Sequence, residues 1–165
     1  MRSDYNLTDG DTFYASMSAS EMLAAGAGVA AVTAMLRGSA LAALAEAAEA
    51  ARRKIDDGSP GKLAEYLAKR EIARDPAAAD PALLTLFDRE GASRGLDRAG
   101  HVADVLTTAT ALNAAILTIS AVEKEARAEI AAADAAAPDF EAQMETAVSA
   151  GRAALDAALP TLGGA

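Results

Sequence analysis

The stretch that decides the fold is DRAGHVADVLTTATALNAAILTISAVEKEARAEIAAA, residues 97–133. Apolar residues recur along it at alternating spacings of three and four, with one interruption at Glu123: Val102, Val105, Ala109, Leu112, Ile116, Ile119, Ala126 and Ile130. Such a series lies on one face of a helix and is typical of coiled-coil-like packing. The sequence therefore predicts a long helix that begins after Asp97 and ends near Ala133.

Capping and breaking residues predict further helices on both sides of this stretch. Ser18 and Glu21 fit a capping box, in which each side chain bonds the backbone of the other residue. The helix that begins there is expected to run to about Lys54, with a weak point or a break at Gly38-Ser39, because glycine within a helix costs about 1 kcal/mol. Asp57-Gly58-Ser59-Pro60-Gly61 then ends it.

Three more helices are expected, over residues 61–73, 81–94 and 139–159. Asp80 is the expected N-cap of the second, with Pro81 at its first position, and Gly95 its stop signal. The last helix repeats the heptad spacing, with Gly151 in its apolar stripe, which indicates close contact with a neighbouring helix. We expect it to form a helical hairpin with the long helix.

The predicted fold class is all-α, as a helical bundle or an elongated helical array. Residues 1–17 are expected to form an irregular N-terminal arm, with a turn at Asp9-Gly10-Asp11. Residues 18–159 form a single helical domain in this interpretation, and residues 160–165 form a tail. Because the helices are rich in alanine, they bury little area each, which favours oligomerisation.

Charge and segment composition exclude several classes of protein. The net charge of −9 argues against binding nucleic acid or an anionic membrane. The polar N-terminus lacks the apolar core of a signal peptide, so secretion by that route is not expected. The one candidate membrane segment, residues 22–36, is shorter than the about twenty residues that a transmembrane helix needs.

The sequence contains no recognisable catalytic, cofactor-binding or metal-binding pattern. His101 is the single histidine and there is no cysteine, so a typical zinc site cannot form. Ser93 is not in a nucleophile-elbow motif. Gly26 and Gly28 lack the remainder of a phosphate-binding loop. We therefore expect no cofactor, no metal and no enzymatic activity.

The apolar faces of the last two helices are the predicted contact surfaces. The expected oligomer or partner interface consists of Val102, Val105, Leu112, Ile116, Ile119, Ile130, Phe140 and Met144. The N-terminal arm carries half of the few aromatic residues, and Tyr5, Phe13 and Tyr14 make it a candidate docking arm.

The run DPALLTLFDREGASRGL (residues 80–96), followed by a long helix that ends ISAVEKEARAEIAAA (residues 119–133), resembles a segment of tail-associated proteins of tailed bacteriophages. In that pattern a short helix with an Arg-Gly-Leu ending leads into a long helix that carries Glu-x-x-x-Arg, here Glu123 and Arg127, and ends in Ile-Ala-Ala. The resemblance implies a role in the virion or in tail assembly. It also implies a location in the virion or the host cytoplasm, and no catalytic residues.

The expected function is therefore that of a structural or assembly component of a phage particle, which acts through helix-mediated contacts with other protein subunits, in a homo-oligomer or with virion proteins. The alternative is a small bacterial helical interaction module or chaperone that binds a partner peptide.

Overall fold

The computed structural model describes residues 4–55 and 60–159. These residues form six helices and a small two-stranded sheet, which confirms the predicted all-α class. In chain order the elements are β1 (Tyr5–Asp9), β2 (Thr12–Met17), α1 (Ala19–Ala24), α2 (Val29–Ile55), α3 (Pro60–Arg74), α4 (Pro81–Ser93), α5 (Arg98–Ala132) and α6 (Phe140–Ala157). The predicted tail at residues 160–165 and the centre of the predicted turn, residues 57–59, lie outside the described residues.

The predicted bounds of α3 to α6 are confirmed to within two residues. Asp80 caps α4 as expected, because its Oδ1 accepts hydrogen bonds from the amides of Ala82 and Leu83 at 2.8 and 3.3 Å. Gly95 ends α4 with a φ of +74°, a conformation that glycine adopts without steric cost. Asp97 caps α5 by accepting a bond from the Gly100 amide at 2.7 Å.

The first helix is interrupted at a different glycine from the predicted one. The capping box of Ser18 and Glu21 is present, but α1 ends at Ala24. The chain then turns through Gly26, whose φ of +97° is left-handed, and α2 begins at Val29. The predicted alternative of a break at Gly38 was wrong, because α2 continues through it. Gly38 keeps helical geometry, whereas the conformation at Gly26 ends the helix.

The N-terminal segment is a β-hairpin, and the expectation of an irregular arm was wrong. The predicted turn is present, since Gly10 and Asp11 form a two-residue loop with Gly10 at a φ of +57°. Strand β1 pairs antiparallel with β2, with a bulge next to Tyr5. There the amide of Ser16 donates to Asn6 Oδ1 at 2.9 Å. Sparse apolar residues in both strands give a weak alternation, which is why the sequence signal was missed.

The chain divides into two compact units, where a single helical domain was expected. Unit 1 comprises Met1–Ala50 and Ser120–Ala157, and unit 2 comprises Ala51–Ile119 and Ala158–Ala165. The boundaries fall within α2 and within α5. Unit 1 thus contains the hairpin, α1, α6 and part of each long helix, and unit 2 contains α3, α4 and the first part of α5.

The core of unit 1 combines fully buried large side chains with a close helix contact at a glycine. Met22, Leu44, Ile130 and Leu155 are among its fully buried residues. At Gly151 of α6, a Cβ atom would lie 2.9 Å from Leu44 Cδ1 and 3.1 Å from Ala126 Cβ. Gly151 therefore lets α6 approach its neighbours closely, which confirms the interpretation of the glycine in the stripe.

The core of unit 2 is built around an aromatic stack. The rings of Phe87 and His101 are parallel, with centroids 4.0 Å apart, and both residues are buried. His101 Nδ1 lies 2.9 Å from the Phe87 carbonyl oxygen, so this nitrogen carries the hydrogen that the carbonyl accepts. Gly91 makes room for the ring, since a Cβ atom there would lie 2.8 Å from His101 Nδ1 and 2.9 Å from its Cγ. His101 is thus a packing residue between α4 and α5.

Candidate interaction surface

Most of the predicted interface residues lie in the interior of the chain. The buried ones are Val105, Ile119, Ile130, Phe140 and Met144. Val102 and Leu112 are half-buried, and Ile116 is exposed. The heptad positions are therefore largely used for packing within each unit. Ile116 and, in part, Leu112 and Val102 stay accessible to a partner.

The three aromatic residues of the proposed docking arm differ in their exposure in the hairpin. Tyr14 is buried and Tyr5 is half-buried, whereas Phe13 is 65% exposed. The hairpin is also attached to α2, because the Gly28 amide donates to Asp9 Oδ2 at 2.6 Å. A carboxylate at a helix N-terminus is favoured by the helix dipole. The hairpin is thus held in unit 1, and of the three rings Phe13 is the exposed one.

The middle of α5 lacks the charged outer face that a surface helix normally has. Between Asp104 and Glu123 no residue is charged on any side of the helix. Within this uncharged stretch Leu117 is 70% exposed and Ile116 is 44% exposed. Helices at the surface of globular proteins usually carry charged or polar residues opposite their apolar stripe. The described residues therefore leave apolar surface of this part of α5 exposed.

A groove in unit 2 adjoins the exposed residues of α5. It has a volume of about 610 Å³ and is lined by residues of α3 and α5, together with Ile55 at the end of α2. Leu67 of α3 is partly exposed beside it, and Leu112 and Ile116 of α5 line it. We refer to it as the α3–α5 groove. Its apolar lining is typical of a ligand or partner site.

Charged side chains of α3 flank this groove. Lys69 forms salt bridges to Glu65 at 2.5 Å and to Glu90 of α4 at 2.7 Å. Burial alone would lower the Lys69 pKa, but the hydrogen bonds to both glutamates outweigh it and raise that pKa. The Glu65 pKa is lowered, chiefly by its hydrogen bond to Lys69. These three charges neutralise one another in part and join α3 to α4.

Two polar atoms of the groove residues are buried without a hydrogen-bond partner in the described part of the chain: Tyr66 Oη and Arg70 Nε. Burial raises the Tyr66 pKa, and the nearby Arg70 charge opposes this shift. Tyr66 therefore keeps its proton at neutral pH and can donate it. Unsatisfied buried donors are uncommon in native proteins and often mark functional positions.

Two helices of the described chain, α2 and α5, are long and apolar enough to cross a membrane, by length and composition alone. In each, 22% of the apolar window is buried within the chain. In α2 the apolar residues Val32, Leu36 and Leu44 belong to the core of unit 1. The shorter run at residues 22–36, considered in the sequence, is interrupted by the break between α1 and α2.

The sequence indicates an uncharged surface around Leu117, but it indicates the groove residues Tyr66 and Arg70 only weakly. The absence of charge around Leu117 is visible in the sequence, but Leu117 lies outside the heptad series and was therefore not predicted as an interface residue. Tyr66 and Arg70 are four residues apart, which places them on one face of α3. That both have unpartnered polar atoms depends on the packing of α3 and could not be predicted.

No group of three or more His, Asp or Glu side chains that could hold a metal ion occurs among residues 4–55 and 60–159. No protein-family model, no curated protein and no solved structure matches the chain. The packing and the exposed surfaces described above are therefore the basis for a functional proposal.

Proposed function

We propose that this protein is a non-catalytic assembly component of a bacteriophage particle, and that it associates with other subunits through the middle of α5. One observation carries the proposal: an uncharged stretch of a long helix, residues 105–122, presents Ile116 and Leu117 to the exterior. Exposed apolar surface without charge is typical of protein interfaces. The phage particle as the site of assembly follows from the resemblance of residues 80–133.

The chemistry of the exposed residues favours another helix as the partner. Most exposed positions around Leu117 are occupied by alanine, threonine and serine, with Asn113 as the larger polar residue, and these small side chains let a second helix approach closely. Leu117 and Ile116 then supply the larger apolar contacts. A second copy of α5 has the same composition, so self-association would cover the surface on both chains.

A membrane is the second environment that would cover this helix. The apolar composition of α5 favours it, and the uncharged stretch, residues 105–122, is close in length to the about twenty residues that span a bilayer. The many threonines and Asn113 within the uncharged stretch oppose it, because polar side chains are costly in hydrocarbon. We therefore favour a protein partner and treat the membrane as an outcome of the test.

Light scattering over a concentration series tests the proposal. The purified protein is expected to form a discrete multimer, and Leu117→Lys is expected to shift it to the monomer, because a charge in the interface has no partner. Phe13→Lys is the matched control, since Phe13 is exposed to a similar degree on the hairpin. This control variant is expected to keep the multimer.

The other outcomes would assign the surface differently. A monomer at all concentrations would contradict assembly through α5 and favour an interaction module that needs an external partner. Loss of the multimer in Phe13→Lys alone would assign the interface to the hairpin. Co-flotation of the natural chain, but not of Leu117→Lys, with lipid vesicles would indicate the membrane.

A further inference from the structure

The α3–α5 groove has the dimensions of a small-molecule site. Its volume of about 610 Å³ lies within the range of about 300–1,000 Å³ that ligand pockets occupy. Leu67, Leu112 and Ile116 provide an apolar wall, and Ile55 adds to it. Such a lining suits an aliphatic chain rather than a strongly polar ligand.

The polar groups of the groove select for an acceptor that carries negative charge. Tyr66 Oη and Arg70 Nε are buried donors without a partner among the described residues, and they lie one helical turn apart. Among residues 4–55 and 60–159, the guanidinium of Arg70 pairs with Glu71 through a long contact, at 3.5 Å from its Nη2. A carboxylate has two acceptor oxygens, so it can accept from both donors at once.

The other charges around the groove are compatible with an anion. Glu65 is the acidic residue among those that line it, and its carboxylate is held by Lys69. Lys62 and Lys69 also line the groove, which leaves the described lining with more positive than negative charges although the whole chain is acidic. A cationic ligand would instead meet Arg70 and these lysines.

We propose that the α3–α5 groove binds a small aliphatic carboxylate. Because Tyr66 Oη and Arg70 Nε are buried, both side chains turn toward the groove when the ligand binds, and the carboxylate then accepts a hydrogen bond from each. The alkyl chain lies along Leu67, Leu112 and Ile116. The groove shares Ile116 with the proposed assembly surface, whereas Leu117, the residue that tests the assembly, does not line the groove.

Isothermal titration calorimetry with decanoate, below its micellar concentration, tests the site. We expect saturable binding with one ligand per chain, and at least about tenfold weaker binding of 1-decanol, since the alcohol has no charge to pair with Arg70. Arg70→Gln and Tyr66→Phe are each expected to weaken decanoate binding about tenfold.

Arg74→Gln is the matched control, because Arg74 is one turn further along α3 and does not line the groove. It is expected to bind decanoate as the natural chain does. Circular dichroism of each variant verifies that α3 stays folded, and Tyr66→Phe, which removes a single oxygen, keeps the test valid if Arg70→Gln unfolds.

Absence of saturable decanoate binding would overturn the proposal. Equal affinity for decanoate and 1-decanol would also overturn it, because the groove would then act as a general apolar surface. So would unchanged affinity in both Arg70→Gln and Tyr66→Phe. The ligand site is tested with Tyr66 and Arg70 variants by calorimetry, and the assembly surface with Leu117→Lys by light scattering, so a failed ligand site and a failed assembly surface are distinguishable.

Discussion

The two parts of α5 differ in how their exposed faces are built. In unit 1, residues 120–132 bury Ala126 and Ile130 and carry Glu123, Lys124 and Arg127 among their charged residues. In unit 2, the helix buries Val105 and Ile119 but exposes Leu117, in a stretch of sequence that has no charged residue between Asp104 and Glu123. The part in unit 1 has a buried apolar face and a charged face exposed to solvent. The part in unit 2 has a core face and an uncharged exposed face, through which we propose that it associates with a partner.

The largest expected effect is the difference in stability between a variant in the unit 1 part of α5 and a variant in the unit 2 part. Ile130→Ala removes a fully buried side chain from unit 1 and should lower the free energy of unfolding by about 2–5 kcal/mol. Leu117→Ala removes an exposed side chain and should change it by less than about 0.5 kcal/mol in dilute solution. Urea unfolding followed by circular dichroism measures both. Equal losses would show that Leu117 is a core residue, which would remove the contrast.

A pair of glycine variants compares close packing in unit 2 with an open helix surface in unit 1. Gly91→Ala brings a Cβ atom to 2.8 Å from His101 Cβ, whereas Gly38→Ala meets no atom within 4 Å. Both changes add helix propensity, by up to about 1 kcal/mol. Gly91→Ala should therefore be less stable than Gly38→Ala by about 1–3 kcal/mol, the cost of overpacking. Thermal unfolding of the two variants gives this difference, and equal stabilities would show that α5 shifts at His101 to accommodate the added methyl group.

The smallest expected effect concerns the pH dependence of unit 2. Arg98 at the start of α5 binds Asp88 of α4 through two hydrogen bonds, at 2.9 and 2.5 Å. The hydrogen bond from Arg98 lowers the Asp88 pKa below its ordinary value of 3.8. The stability from this pair is present above that value and is lost as the pH falls through the lowered pKa.

Asp88→Asn and Arg98→Gln should each flatten the acid end of the stability profile by a similar, small amount, because the pair is exposed. Urea unfolding at a series of acidic pH values measures the profiles. A profile that stays as steep as that of the natural chain in both variants would place the acid sensitivity elsewhere.

Most of the helices could be predicted from the sequence because their ends are marked locally. Asp80, Gly95 and Asp97 act through their own hydrogen bonds or backbone conformation, which a sequence shows directly. The interface could not be predicted in the same way. A heptad series identifies an apolar face, but the same face packs within a chain or between chains, and here Ile119 and Ile130 pack within it.

The N-terminal hairpin and the α3–α5 groove depend on contacts that are distant in sequence. Asp9 accepts from the Gly28 amide across nineteen positions, and this bond attaches the hairpin to α2. The polar atoms of Tyr66 and Arg70 lack partners only because of how α3 is packed. The turn at Gly10-Asp11 and the four-residue spacing of Tyr66 and Arg70 are the local signals for these features, and neither signal predicts the distant contacts, so both features required the structure.

A nitroxide spin label at position 117 tests the central claim most directly. The chain has no cysteine, so Leu117→Cys provides a single attachment site. At low concentration the label should be mobile, as expected for an exposed residue. As the concentration rises into the range where multimers form, the label should become immobilised and show spin–spin broadening, whereas a label in Phe13→Cys should stay mobile. A label at position 117 that stays mobile at every concentration would contradict assembly through the middle of α5.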